Sequence, residues 1–329
     1  MTTTVDAAFN QFNKDIVNLD SNRTKTARSS RDWLISQLEK LPDTGDCFPN
    51  LYDGMHIKFG SFARNTKIRP LDDIDLILTF SADGATYTTY KYGEQYTLSV
   101  PNTNINLWAL TNDDGTLNSI KMVNKLVNSL GKISHYSKAS IHRRQEAATL
   151  QLTSYEWNFD IVPAFYTDTG YYLIPDGNGD WKATDPRIDQ ENTSSVNQMH
   201  SGKILQIIRT LKYWQKRKTM PTMSSYLFEV IILDYFSKKQ EVSNFIDLEL
   251  RDFWGHLNIA IYSSFQDPKG FSGELNNLSF DEKSKISTKA SEDSIKASEA
   301  IRLETQVKDQ EKAIKKWAEI FGGDFPSYG

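Results

Sequence analysis

A glycine–serine turn in Phe59-Gly60-Ser61-Phe62 precedes an acidic segment, Leu71-Asp72-Asp73-Ile74-Asp75-Leu76-Ile77-Leu78. The aliphatic residues of the second segment are typical of a buried β-strand. Side chains two positions apart on a strand point to the same face, so Asp73 and Asp75 are expected side by side. Two carboxylates this close repel each other unless a cation neutralises them. The pattern therefore predicts a metal site at the start of this strand.

A third acid, Asp160, lies much later in the chain, in Trp157-Asn158-Phe159-Asp160-Ile161-Val162. Its apolar neighbours indicate a second strand, which can bring Asp160 to the first pair. Mg²⁺ usually takes one or two carboxylates together with substrate phosphates and waters. Two such ions can lower the pKa of an attacking hydroxyl and stabilise a leaving pyrophosphate. We expect Asp73, Asp75 and Asp160 to hold two Mg²⁺ ions, with Mn²⁺ as a substitute.

The Gly60-Ser61 turn follows a short predicted strand, His56-Ile57-Lys58-Phe59. Gly60 lets the backbone approach a ligand closely. Ser61 is expected either to cap the next helical turn or to bind a phosphate, because N–H groups at a helix start favour an anion. A Gly-Ser dipeptide and an Asp-x-Asp pair are each weak signals. The alternative is a chance combination of a turn, an edge strand and a hairpin.

The composition is that of a globular protein, with 39% apolar and 24% charged residues among 329. A net charge of −4 and a pI near 5.8 disfavour a broad nucleic-acid-binding surface. The chain has no long apolar run, and its start has neither a basic nor an apolar segment, so we expect no membrane span and no secretory signal. Cys47 is the only cysteine, and neither a zinc motif nor a P-loop is present. These features favour a cytoplasmic enzyme.

The order of predicted elements indicates an α+β fold. We expect a catalytic lobe with a mixed β-sheet over residues 1–195 and a helical lobe over 196–329, with the active site in the cleft between them. The predicted strands lie at 55–60, at 74–80 and twice within 146–166, with a hairpin or loop insertion at 81–104. The predicted helices lie at 24–41 and 118–130, two later helices carry Lys212 and Tyr226, and one or two amphipathic helices lie in 281–320. A loop is expected from the 175–180 turn to about 195.

The motifs resemble the DNA polymerase β-like nucleotidyltransferase superfamily. The nearer resemblance within it is to the CD-NTases, the cyclic GMP-AMP synthase-like enzymes of bacterial CBASS anti-phage signalling. Further segments support it, namely Leu211-Lys212-Tyr213-Trp214 and Ser224-Ser225-Tyr226-Leu227. The resemblance covers most of residues 10–325. It implies that Lys212 and Ser225 contact the triphosphate and that Tyr226 stacks on the donor base.

The resemblance also implies a reaction. A ribose hydroxyl attacks an α-phosphate in line and releases pyrophosphate, which gives a linear dinucleotide from ATP- or GTP-type substrates. A second attack closes the ring, or a third nucleotide is added before closure, so that the product is a cyclic di- or trinucleotide. The product is then a second messenger that a downstream effector senses. The sequence does not determine the bases, the ring size or the choice of 2′ or 3′ linkage.

Other functions on the same fold remain open. The chain is alternatively a linear oligoadenylate synthase, an RNA-tailing nucleotidyltransferase, or a catalytically silent nucleotide-binding scaffold. The final segment, Phe325-Pro326-Ser327-Tyr328-Gly329, is similar to the C-terminal glycine through which some bacterial members are conjugated to targets by a ubiquitin-transfer-like partner. The alternative for this segment is a frayed terminus.

Overall fold

The computed structural model describes residues 2–90, 95–217 and 220–329. It separates into two compact units, each made of discontinuous parts of the chain. We call them the sheet unit, which comprises Ser21–Arg64 and Leu71–Gln190, and the helical unit, which comprises Met1–Asp20, Asn65–Pro70 and Glu191–Gly329.

Nine strands of the described chain form one mixed sheet in the sheet unit. They are β1 (Ile57–Phe59), β2 (Asp73–Phe80), β3 (Thr86–Tyr90), β4 (Gln95–Ser99), β5 (Ser140–Arg144), β6 (Ala147–Gln151), β7 (Asn158–Tyr166), β8 (Tyr172–Pro175) and β9 (Trp181–Thr184). The main path through the sheet runs β1-β2-β7-β8-β9-β4-β3, and β6 pairs with both β5 and β7.

The helices lie around this sheet and in the helical unit. They are α1 (Val5–Phe12), α2 (Ser21–Leu38), α3 (Gly60–Ala63), α4 (Ile105–Trp108), α5 (Ser119–Gly131), α6 (Pro186–Met199), α7 (Ile204–Gln215), α8 (Ser225–Ser237), α9 (Ile246–Ala260), α10 (Phe280–Arg302) and α11 (Gln310–Phe321). Short 3-10 turns cover Leu41–Thr44 and Ser134–Tyr136, and π-helical turns cover Asn13–Val17 and Leu303–Val307.

The central pair of strands, β2 and β7, is parallel over the whole length of β2, from Asp73 opposite Asn158 to Phe80 opposite Phe165. Both strands are buried over most of their length, as their aliphatic composition predicts. The antiparallel strand β1 pairs with the other edge of β2, with Phe59 opposite Asp75. The sequence-based strands at 55–60, 74–80 and within 146–166 are therefore confirmed. Within the expected hairpin or insertion at 81–104, β3 and β4 pair antiparallel, and residues 91–94 lie outside the described part of the chain.

The predicted helices are also present. Helix α5 begins after Asn118, whose side chain accepts a hydrogen bond from the Lys121 N–H. The segment 281–320 forms two helices, and α10 begins with a capping box between Ser279 and Glu282. Its buried side chains, with those of α1, α7, α8, α9 and α11, make up one apolar core of the helical unit.

The stretch around residues 175–195 differs from the prediction in two respects. The expected loop from the 175–180 turn to about residue 195 is wrong, because this stretch forms β9 and most of α6. The sequence-based division at residue 195 also differs from the compact units, which separate after Gln190. Residues 1–20 and 65–70 pack with the helical unit, although the sequence places them in the catalytic lobe.

The end of the chain is packed rather than frayed. Phe325 is buried, and its ring lies 5.0 Å from that of Phe9. The Thr2 N–H donates to the Gly329 carbonyl at 3.2 Å, and the Gly329 N–H donates to the Thr2 carbonyl at 3.4 Å. In the described part of the chain, no helix combines the length and apolar character needed to cross a membrane.

Candidate active site

The three predicted carboxylates lie at neighbouring positions of the sheet. Asp73 and Asp75 are half-buried on one face of β2, while Ile74 between them is buried on the other face. Asp160 on β7 stands directly opposite Asp75 in the parallel register. Adjacent strands lie about 4.8 Å apart, so the side chains of such a pair are neighbours. The structure thus brings together acids that are distant in the sequence.

Asp160 is held by a neighbour on a third strand. Thr149 on β6 stands opposite Asp160, and its hydroxyl donates to the Asp160 carboxylate at 2.6 Å. Thr149 is itself buried. This hydrogen bond restricts the rotation of the Asp160 side chain and leaves the carboxylate able to accept further bonds or a cation.

Gly60 touches the carboxylate of Asp75. Its backbone has φ +73°, in the left-handed region that favours glycine. A Cβ at this position would lie 1.8 Å from Asp75 Oδ2 and 2.6 Å from its Cγ. The close approach of the turn to the acid therefore requires glycine here.

Ser61 lies inside the first turn of α3 and does not cap it. The N-cap position is Phe59, in extended conformation and without a side-chain cap. Ser61 is half-buried, immediately after the glycine that touches Asp75. The capping role expected for Ser61 is wrong, and its other expected role, in phosphate binding, stays a prediction.

The carboxylates fit a magnesium site that a substrate completes. Within residues 2–90, 95–217 and 220–329, no three His, Cys, Asp or Glu side chains are gathered closely enough to enclose a metal ion. Mg²⁺ sites in phosphate-transferring enzymes use only one or two carboxylates per ion and take other ligands from phosphates and water. The adjacent Asp75 and Asp160, with Asp73 on the same face, supply that donor type.

Lys212 is buried in the helical unit. Its side chain is 5% exposed, and its Nζ lies 2.5 Å from Glu229 Oε1, on a carboxylate that is 4% exposed. A direct contact with a triphosphate, as predicted, requires the ammonium to exchange this partner or to share it. The structure shows an ion pair that the sequence did not indicate.

Ser225 and Tyr226 lie at the start of α8. Ser225 is exposed at the first helical position, and Ser224 before it accepts the Tyr226 N–H at 3.2 Å. The Tyr226 hydroxyl donates to Asp267 at 2.7 Å, and Lys269 Nζ lies 3.9 Å from the ring centroid. One face of the ring is thus covered by a cation, so a stacked base must use the opposite face.

Sequence reasoning missed several side chains that hold the predicted ones. Thr149, Glu229 and Asp267 each bond to a predicted residue from another element. Thr149 gives no signal in the sequence, because only the register of β6 and β7 places it opposite Asp160. Glu229 does give one, since a charged residue within the apolar run of α8 needs a partner.

One curated protein is similar to the whole chain. It is the "Probable cyclic nucleotide synthase" of Bacillus cereus strain VD146, which is 48% identical over an alignment of 334 residues that covers 100% of this chain and 99% of the relative. No protein-family model matches the chain.

Solved structures share the fold at low identity. CdnC of Escherichia coli MS115-1 in complex with HORMA-deltaN superposes with a TM-score of 0.71 at 18% identity, over 98% of this chain and 99% of that one. A mutant of the Vibrio cholerae dinucleotide cyclase DncV, in complex with ATP, GTP and 5MTHFGLU2, superposes with a TM-score of 0.69 at 11% identity, over 100% and 98%. CdnC with ATP gives 0.71 at 16% identity.

Proposed function

We propose a function from one premise: the chain belongs to the family of cyclic nucleotide synthases, the CD-NTases. It transfers nucleotidyl groups between nucleoside triphosphates, ATP or GTP, and releases pyrophosphate. A ribose hydroxyl attacks the α-phosphate of a bound triphosphate to give a linear intermediate. A second attack within that intermediate closes a cyclic dinucleotide and releases another pyrophosphate, whereas addition of a third nucleotide before closure gives a cyclic trinucleotide.

The observation that carries this proposal is the register of β2 and β7. It sets Asp160 opposite Asp75, and Gly60 touches the Asp75 carboxylate from the preceding turn. The turn to which we assign phosphate binding thus lies against one carboxylate of the pair, which supports transfer of a phosphate-linked group at this place.

The residues of the sheet unit then have distinct roles. Asp73, Asp75 and Asp160 would hold two Mg²⁺ ions, which when bound lower the pKa of the attacking hydroxyl and neutralise charge on the triphosphate. Thr149 keeps the Asp160 carboxylate in place. Gly60 and Ser61 lie against the triphosphate, where the backbone N–H groups of the turn bind its oxygens.

Residues of the helical unit have proposed roles as well. Ser225, exposed at the start of α8, binds the triphosphate with the N–H groups of that helix end. Tyr226 stacks on a base with the ring face that Lys269 does not cover. Lys212 reaches a phosphate only if its ammonium exchanges Glu229 for the phosphate or is shared between the two.

The test is incubation with all four NTPs and Mg²⁺ or Mn²⁺, followed by mass spectrometry of phosphatase-resistant products. We expect a cyclic product from the native chain. Asp75→Asn and Asp160→Asn should each lower the rate by about a thousandfold, since losing several kcal/mol of charge stabilisation corresponds to about that factor. Asp113→Asn, in an exposed turn, is the matched control.

Each other outcome has a clear meaning. Full activity in Asp75→Asn contradicts the assignment of the carboxylates. Products that lose terminal phosphates on phosphatase treatment identify a linear oligonucleotide synthase instead, and extension of added RNA identifies a tailing enzyme. Nucleotide binding without pyrophosphate release identifies a silent scaffold.

The cellular role is a further part of the proposal. The product acts as a second messenger for an effector in anti-phage defence, so phage resistance in cells carrying the system should disappear with Asp75→Asn. Conjugation through Gly329 is a separate proposal that rests on the resemblance of the final segment. An isopeptide-linked adduct that is lost on deletion of Gly329 supports it, and an adduct that persists contradicts it.

A further inference from the structure

We infer that Glu229 is a positioning residue that, with Lys212 and Thr66, anchors the segment between the Gly60-Ser61 turn and the Asp73–Asp75 strand. This segment, residues 65–70, is called the strap below. The inference rests on the proposed function, because its effect is measured on nucleotidyl transfer. It gives Lys212 a role inside the helical unit that needs no direct phosphate contact.

The cluster is buried and closely bonded. Glu229 is 3% exposed and Thr66 is 0% exposed. The Thr66 hydroxyl lies 3.1 Å from each Glu229 carboxylate oxygen, and Lys212 Nζ lies 2.5 Å from Oε1. A carboxylate in such a place is stable only with charged and hydrogen-bonding partners. The Lys212 ammonium neutralises the Glu229 carboxylate. The same carboxylate accepts the Thr66 hydroxyl and so holds the strap at Thr66.

The strap has further anchors in the helical unit. The guanidinium of Arg209 donates to the Asn65 carbonyl at 2.7 Å. Ile68 is 2% exposed within the core of the unit and forms a β-bridge with Asn18. The Arg69 guanidinium donates to the carbonyls of Asp15 at 2.7 Å, of Lys14 at 3.1 Å and of Asn18. The strap is therefore held from its first residue to its fifth.

The covalent connections of the strap lead to the catalytic motifs at both ends. Arg64, immediately before it, is the C-cap of α3, which contains Gly60 and Ser61. Leu71, immediately after it, is two residues from Asp73. Asn65 has φ +60°, so the chain turns sharply where it enters the strap. A shift of the strap must therefore displace the turn, the strand or both.

Small displacements of the catalytic groups lower the rate of the chemical step more than they weaken substrate binding. A misplacement of about 1 Å can cost about a hundredfold in rate, because reacting groups must be aligned. Loosening a single anchor is a milder change. We expect a loss in kcat with little change in KM for the NTP.

The decisive variant is Thr66→Val, which removes the hydroxyl and keeps the shape. We expect kcat to fall about tenfold, KM to change less than about threefold, and Thr66→Ser to retain near-native kcat. The matched control is Ser287→Ala, which removes a buried hydroxyl that donates to Asn258 in the same unit, away from the strap. All rates are measured well below the melting temperature of each variant.

A second pair of measurements separates positioning from stability. Thr66→Val removes the bond to Glu229, and Glu229→Gln removes the charge that strengthens that bond, so their effects on kcat should not multiply in the double variant. Hydrogen–deuterium exchange at residues 60–64 and 71–75 should rise in Thr66→Val and stay native in Ser287→Ala.

The inference is overturned if Thr66→Val lowers the melting temperature as Ser287→Ala does while kcat and exchange at residues 60–64 stay native. It is also overturned if Glu229→Gln raises KM alone, because Lys212 then acts on the phosphate directly. Failure of the native chain to form any product contradicts the proposed function instead, and the exchange measurement still tests the anchoring.

Discussion

Gly60 shows how tightly one position is constrained in this site. Its left-handed backbone excludes most residues at a cost of about 1–2 kcal/mol. The contact with Asp75 adds a second and larger constraint, because even a methyl group has no space. The sequence indicated a turn whose glycine lets the backbone approach a ligand, whereas the acid that the turn touches became visible only through the pairing of β1 with β2.

The first prediction compares two glycines. Gly60→Ala should displace the Asp75 carboxylate and lower nucleotidyl transfer by about a hundredfold, the order of effect of a misplacement near 1 Å. Gly45→Ala is the matched control, since Gly45 has φ +75° and nothing within 4 Å of its Cβ position. Both variants carry similar backbone strain, but only Gly60→Ala adds the clash with Asp75, so it should lower the melting temperature more than Gly45→Ala and should alone lose activity. Equal activity in the two variants would show that the contact has no role.

A second prediction concerns Thr149. Thr149→Val removes the donor to Asp160 and should lower the rate about tenfold, in line with the effect of residues that orient metal ligands. Thr149→Ser should restore most of the rate. The check is the Mg²⁺ concentration at half-maximal rate, which should rise in Thr149→Val; an unchanged value with native kcat contradicts the role.

At the scale of elements, periodicity was a good guide where one face is apolar. Strands β2 and β7 and helices α5 and α7 lie where their patterns predict. Helix α6 was missed because its sequence is polar almost throughout, and Val196 is its buried apolar side chain. The start of α6 depends on contacts that the structure reveals. Asp185 accepts the Arg187 N–H at 3.1 Å, and the Arg187 guanidinium lies over the rings of Tyr166 and Tyr172.

A third prediction follows from the start of α9. Burial raises the pKa of the Asp247 carboxyl to about 6, and the charge of Glu304 adds to the rise. The folded state thus prefers the protonated acid, so this contribution to stability is present at low pH and is lost as pH rises through about 6. The loss at pH 8 is at most about 3 kcal/mol, from a shift of about two units at 1.36 kcal/mol each.

The variant Asp247→Asn removes this dependence. Its melting temperature relative to the native chain should be clearly higher at pH 8 than at pH 5. Asp281→Asn, an exposed acid in the first turn of α10, serves as control and should show no such trend. A constant difference between pH 5 and pH 8 for Asp247→Asn contradicts the assigned pKa.

At the scale of the whole molecule, the chain passes between the two units four times, after residues 20, 64, 70 and 190. The N-terminal helix α1 completes the core of the helical unit. The Phe9 ring lies 4.9 Å from that of Trp317, and the Phe12 ring lies 5.1 Å from that of Phe325. A division of the sequence at residue 195 therefore separates residues that share one core.

The last prediction tests this interleaving. Residues 1–195 expressed alone should aggregate or bind a hydrophobic dye, because Phe9 and Phe12 lose their partners. Co-expression with residues 196–329 should recover a soluble complex, as judged by size-exclusion chromatography. A monomeric 1–195 fragment with a cooperative thermal transition contradicts the prediction.

The sequence alone was enough to predict the carboxylate pair on β2, the third acid on β7, the Gly-Ser turn and the class of fold. These features are local, because strand periodicity and residue type depend on a few neighbouring positions. The opposition of Asp160 to Asp75, the fit of Gly60 against the acid and the burial of Lys212 with Glu229 and Thr66 depend on the tertiary structure. The pairing register of the strands and the passage of the chain between the two units determine which distant side chains meet. Neither leaves a signal in the spacing of residues along one segment.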